Sequence, residues 1–223
     1  MLIISSQAYS MSNEYVVLLH GLARSSNSMH KLGRYFSEQG HKVLNIKYPS
    51  RKHQIPELAK IVRKEVTSKT SDAEKIHFIT HSLGGIILRY IQEDDPLPNL
   101  ARVIMLSPPN QGSEVVDVLG DMWAFSCING PAGKQLGTDK DGICQKLGKV
   151  DFELGVITGD RSINWINSLM IPGKDDGKVS IESAKVDGMQ DFLVIHVSHP
   201  FIMKKKKVMT QCLYFLDEGK FKR

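Results

Sequence analysis

A chain of 223 residues that is 41% hydrophobic can bury one core, and α/β folds of this size commonly stay undivided, so a single domain over 1–223 is expected. Lys and Arg exceed Asp and Glu by 29 to 24, a net charge of +5 that falls short of the concentrated basic stripe of a nucleic-acid reader. No apolar run approaches the roughly 20 residues that cross a bilayer, and the start MLIISSQAYSMSNEY has neither a basic n-region nor a long apolar h-region; a cytoplasmic chain without a transmembrane segment is expected.

In chain order, near-continuous apolar runs fall at Tyr15–Leu19 (YVVLL), Val43–Ile46 (VLNI), Ile76–Ile79 (IHFI), Val103–Leu106 (VIML), Phe152–Ile157 (FELGVI) and Phe192–Val197 (FLVIHV). Unbroken apolarity over so few residues marks strands buried on both faces, which is the habit of parallel sheets. Between the runs lie stretches of helical spacing at Ser28–Gln39, Ile55–Ser68, Leu83–Gln92, Ser113–Leu119 and Ile202–Leu216. The alternation predicts an α/β fold: a doubly wound, mostly parallel sheet of about six strands with helices on both faces. Ligands of such sheets sit beyond the carboxyl ends of the strands, so chemistry is sought just after each run.

The longest irregular stretch, Pro108 to Val150, carries Met122, Trp123, Phe125 and Ile128 amid glycines and charges. It reads as a lid or pocket-forming insertion, with Trp123 and Phe125 as substrate-binding candidates. The basic run Lys204–Lys207 opens the last helical stretch and reads as a solvated face, with a transient contact to an anionic membrane surface or substrate as the alternative. The cysteines, Cys127, Cys144 and Cys212, are odd in number and form no CxxC pair, which speaks for reduced thiols and against zinc; a Cys127–Cys144 bridge is the alternative. No metal or cofactor is called for.

After the third run comes Thr80-His81-Ser82-Leu83-Gly84-Gly85, which matches G-x-S-x-G except that Thr80 stands at the first glycine. This spacing at a strand-to-helix corner is that of a nucleophile elbow, where small neighbours let a serine hydroxyl stand clear of the sheet. The bland reading of Ser82 is a helix N-cap. After the first run, His20-Gly21-Leu22-Ala23-Arg24 forms a turn whose Leu22 amide, with that of Leu83, supplies a candidate oxyanion hole. His20 itself reads as a packed structural residue.

An acid and a base then follow in the order the elbow requires. Pro172-Gly173-Lys174-Asp175-Asp176-Gly177 places a carboxylate on a turn, and His196-Val197-Ser198-His199 ends on an imidazole. Asp176 and His199 are the preferred partners of Ser82. Asp160, directly after the fifth run, and Asp175 remain rivals for the acid. His196 is a rival for the base, although its place inside the apolar run suits a core histidine better.

The set HGLARSS, THSLGG, PPNQGS, DDGKVS and VSHPF resembles the α/β-hydrolase superfamily, specifically its small bacterial lipase-like branch, and is similar to GPI inositol-deacylase-like hydrolases. The resemblance runs from Tyr15 onward. It implies a minimal version of that fold, a Ser82-Asp176-His199 triad, and cleavage of a small-molecule or lipid ester through an acyl-enzyme. An acyltransferase with the same triad and a non-catalytic binding protein on a hydrolase scaffold are the competing functions, since one superfold hosts many chemistries.

Overall fold

The computed structural model describes residues 13–119, 123–139, 142–162, 171 and 173–223, for 118, 119 and 123–128 the backbone alone. Six parallel strands form one sheet: β1 (Glu14–Leu19), β2 (Lys42–Ile46), β3 (Lys75–His81), β4 (Leu100–Leu106), β5 (Leu154–Gly159) and β6 (Asp191–Ile195), in the spatial order β2-β1-β3-β4-β5-β6. Each expected run is a strand, and the sheet is the doubly wound parallel sheet expected of the sequence. The strand order turns back after β2, so β1 and β3 lie side by side at the point where the chain reverses direction across the sheet.

Apolar runs without alternation are explained by two separate cores. Val17, Leu19, Phe78, Val103, Met105 and Val156 face α2 (Ile55–Lys69) and α3 (Leu83–Asp94). Val16, Leu18, Ile79, Ile104, Leu106 and Ile157 face the other side, against α1 (His30–Glu38) and the last helix, Lys206–Glu218. Successive side chains of a strand point to opposite faces, so every position of β1 from Val16 to Leu19 is fully buried. At about 1.5–3 kcal/mol per fully buried large aliphatic side chain, these two layers are what hold the sheet rigid beneath the loops.

Pro108 to Val150 is not irregular. It contains α4 (Glu114–Leu119), α5 (Trp123–Lys134) and α6 (Ile143–Lys146). The first is the helical stretch expected over Ser113–Leu119; the periodicity of α5 is hidden because it is two pieces joined at Gly130, which has φ 68° and is followed by Pro131. The glycine is required there: a Cβ at Gly130 would lie 2.0 Å from the Arg51 carbonyl. The second piece is seated on the sheet's loops, with Gln135 Oε1 accepting from the Ile55 amide at 2.7 Å and the Leu136 carbonyl accepting from Ser113 at 2.8 Å.

The sixth strand is shorter than the apolar run that encodes it. It ends at Ile195, and a two-turn 3-10 helix over His199–Lys204 precedes α7 (Lys206–Glu218). Among the described residues, Cys144 and Cys212 are free, buried thiols, so Cys144 is not bridged. No helix among them is long and apolar enough to cross a membrane.

Candidate active site

Ser82 stands between β3 and α3 with φ 51° and ψ −122°. A non-glycine residue in this region is strained by on the order of 1–3 kcal/mol and persists only where its surroundings hold it. Among the described residues two other non-glycines have positive φ, Ala23 after β1 and Ser107 after β4. All three lie just past strand ends in the same row of loops. Ser82 is fixed from both sides: its amide donates to Leu106 at 2.9 Å, and its carbonyl accepts from Gly85 at 2.9 Å. Its side chain makes no capping bond to the helix, so the N-cap reading does not hold.

The small residues of the corner have distinct reasons. A Cβ on Gly84 would lie 2.8 Å from the Leu19 carbonyl oxygen and 3.0 Å from that of His20, so α3 starts in direct contact with the end of β1. A Cβ on Gly21 would meet His81 Nδ1 at 2.8 Å and Ser82 Cβ at 3.2 Å, which puts the HGLA turn against the serine. Thr80 is accommodated by the extra glycine of the motif. It is fully buried, and its Oγ1 lies 3.3 Å from where a Cβ of Gly85 would stand. THSLGG therefore moves the missing space from the first glycine to Gly85.

Asp176 and His199 meet at this corner. His199 Nδ1 is 2.8 Å from Asp176 Oδ2, and both side chains are buried. Asp176 Oδ1 accepts from the amides of Lys178 at 3.1 Å and Val179 at 3.0 Å. Burial alone would raise the carboxyl's pKa; the imidazole of His199, together with the Ser107 hydroxyl and the Val179 amide, outweighs it and holds the group below its ordinary range. An ionised Asp176 makes Nδ1 of His199 the protonated nitrogen and leaves Nε2 as the acceptor.

His81, the residue before Ser82, packs against the pair. Its ring lies 4.8 Å from that of His199, and its Nε2–H donates to the His199 carbonyl at 3.1 Å. Burial, and then the charge of His199, push its pKa well below 6.5, so it stays neutral. His20 is packed as expected. It is fully buried and stacked 4.0 Å from Tyr48, whose hydroxyl donates to the His20 carbonyl.

The rivals are accounted for elsewhere. Asp160 Oδ1 lies 2.8 Å from Nδ1 of His196, in a pair with His196 74% exposed. His196 is thus not a core histidine: β6 ends one residue earlier, and the ring turns to solvent. Asp175 Oδ1 accepts from the Gly177 amide at 2.6 Å, within the turn that presents Asp176. Leu22 is half-buried beneath α5, since a Cβ on Gly133 would lie 3.2 Å from its Cδ2. Leu83 is the first residue of α3, where no intrahelical acceptor exists for the amide. The side chains of Trp123 and Phe125 lie outside the described residues. Ser107 carries a single sequence signal, its place directly after the fourth run.

A family model described as palmitoyl protein thioesterase matches residues 15–146. The chain belongs to the palmitoyl protein thioesterase family. The match includes the HGLA turn and Ser82 and stops short of Asp176 and His199. Among solved structures, mature lipase BlEst2 of Bacillus licheniformis superposes with a TM-score of 0.70 at 18% identity, over 94% of this chain and 93% of that one. Phospholipase PlaB of Legionella pneumophila gives 0.74 at 17% identity, over 92% of this chain and 59% of that one. A metagenomic carboxyl esterase gives 0.69 at 16% identity, over 86% and 66%. No curated protein matches the chain in sequence. The fold of this palmitoyl protein thioesterase family member is the α/β-hydrolase fold of lipases and esterases.

Proposed function

We propose that the protein hydrolyses carboxylic esters or acyl thioesters through an acyl-enzyme on Ser82, with His199 as base and Asp176 as its orienting carboxylate. The observation that carries this reading is the buried Asp176–His199 pair, 2.8 Å apart, beside a serine held at φ 51°. In this reading His199 Nε2 takes the proton of Ser82 as the hydroxyl oxygen attacks the acyl carbon. The amides of Leu22 and Leu83 receive the oxyanion, helped at Leu83 by the start of α3. The bond from the acyl carbon to the leaving oxygen or sulfur then breaks, and His199 returns the proton to that atom. A water, deprotonated by His199, releases the acid and restores the serine.

The 108–150 segment is proposed as the wall of the acyl pocket, with Trp123 and Phe125 as substrate-binding residues; Trp123→Ala is expected to change the preference among ester chain lengths. A fluorophosphonate probe tests the central assignment. One adduct on Ser82 by peptide mass is expected, with none on Ser82→Ala. Stoichiometric labelling of that variant would move the nucleophile to another residue.

A further inference from the structure

Three segments that are distant in the sequence converge beside the proposed triad without a single carboxylate among them. They are the loop after β1, the loop after β2 and the turn that carries His199. Residues 20–37, 47–54 and 196–207 contain no Asp or Glu but ten Lys or Arg. Where they meet they enclose an open cavity of about 490 Å³, lined by Arg24, Arg51 and Lys204 together with Ser25, Asn27 and Ser28. Among the described residues none of the three cations forms an ion pair, whereas Arg63, Arg102 and Arg223 each do. Grouping unpaired cations around one cavity is electrostatically unfavourable unless an anion enters it.

The position of the cavity says which part of a substrate would enter. Arg24 lies two residues beyond Leu22, and Lys204 ends the 3-10 helix that His199 begins. The charge of Arg24 reaches the site itself, since His81, depressed mainly by burial, is depressed further by Arg24. In the proposed reaction His199 hands its proton to the leaving atom, so a group bonded to that atom lies toward Lys204 and Arg24.

We infer that this cavity binds a phosphate carried on the leaving-group side of the ester or thioester substrate. The inference rests on the triad reading given above. Two sources share this chemistry, the phosphate of an acylglycerol phosphate and the phosphates of an acyl-coenzyme A. The reaction is the same displacement at the acyl carbon; the phosphate stays on the departing alcohol or thiol and takes no part in bond making. Guanidinium groups and serine hydroxyls match phosphate oxygens, and the Ser25 and Asn27 side chains add donors without adding negative charge, while the Ser28 hydroxyl already donates to the Ser25 carbonyl at 2.8 Å.

The test compares kcat/KM for pairs differing only in the phosphate, below the micellar concentration and without vesicles. One arm sets a short-chain monoacylglycerol phosphate against the monoacylglycerol. The other sets butyryl-4′-phosphopantetheine, the thiol arm of the coenzyme A thioester with its phosphate, against butyryl-pantetheine. A preference of about tenfold or more for the phosphate member in either arm is expected, given the strength of hydrogen bonds to charged groups. It should shrink with added salt, and the ratio should fall toward one in the Arg24→Gln, Arg51→Gln, Lys204→Gln triple variant. Arg24→Lys should keep most of it. A wild-type ratio near one in both arms, or a ratio the triple variant leaves intact, overturns the subsite while neutral-ester turnover leaves the triad reading standing. A preference that appears only when anionic vesicles are added also overturns it and makes the patch a surface-docking site. Neutral-ester turnover that survives in Ser82→Ala removes the triad reading, and the subsite with it.

Discussion

His199 and Asp176 are joined twice: Nδ1 of the imidazole meets Oδ2 of the carboxylate at 2.8 Å, and the His199 amide donates to the Asp176 carbonyl at 2.9 Å. The backbone bond fixes the two residues relative to one another before their side chains are considered, so the ring needs little further ordering. By contrast, Asp160 and His196 share only a side-chain contact in partial solvent.

This difference predicts different outcomes for matched substitutions. Asp176→Asn should lower kcat by about 10⁴-fold, as loss of the orienting carboxylate and the correct tautomer does in triads, and His199→Ala should do at least as much. Asp160→Asn and His196→Ala remove an exposed pair whose worth is less than about 1 kcal/mol, and should leave turnover within about twofold. Steady-state kinetics with denaturant unfolding on the same preparations checks this. Activity lost in Asp160→Asn but kept in Asp176→Asn would reassign the acid.

The elbow predicts a steric result. Gly84→Ala forces a Cβ to 2.8 Å from the Leu19 carbonyl oxygen, an overpacking of about 1–3 kcal/mol or more. Gly40→Ala, with φ 89° and nothing within 4 Å of the new methyl, meets only the backbone cost of about 1 kcal/mol. Urea unfolding should rank Gly84→Ala as the less stable of the two and the one that also loses turnover.

Gly130 gives a parallel prediction for the segment over the site. Gly130→Ala meets both a positive φ and the Arg51 carbonyl at 2.0 Å, and should cost on the order of 2 kcal/mol or more. The second half of α5 must then lift from the loop after β2. A chain-length series of esters should show an altered preference in this variant; a uniform fall across all lengths would mean the segment is only a cover.

The buried histidines set a pH dependence of stability. His81, His20 and His77 all have pKa values lowered chiefly by burial from the ordinary 6.5. Below that value the unfolded chain binds protons that the folded chain does not, so stability falls as pH drops through 6.5. His81→Gln should flatten, without abolishing, the fall in urea midpoint between about pH 7 and pH 5. Asp176 acts lower down: its depressed pKa contributes stability that is present above the ordinary carboxylate value of 3.8 and lost as pH falls below it. An unchanged slope between pH 7 and 5 in His81→Gln would show that His81 takes up its proton in the fold.

The amino-acid sequence by itself determined the six parallel strands, because burial on both faces demands apolar residues at every position and leaves a run that is visible without partners. It also determined the elbow, since a strand that turns into a helix around a serine at the corner tolerates few sequences, and THSLGG is one of them. Only the tertiary structure decided which carboxylate and which imidazole belong together. Asp160 and Asp176 both follow β5, and His196 and His199 both follow β6; what separates them is a turn that buries one pair and a strand ending at Ile195 that exposes the other. Within 108–150, α4 was legible at Ser113–Leu119, but α5 was hidden for a related reason, because it is bent at Gly130 to fit a carbonyl contributed by a distant loop. The acid-free cavity likewise has no local signature: Arg24, Arg51 and Lys204 are ordinary surface cations along the chain and become a group only where three loops meet.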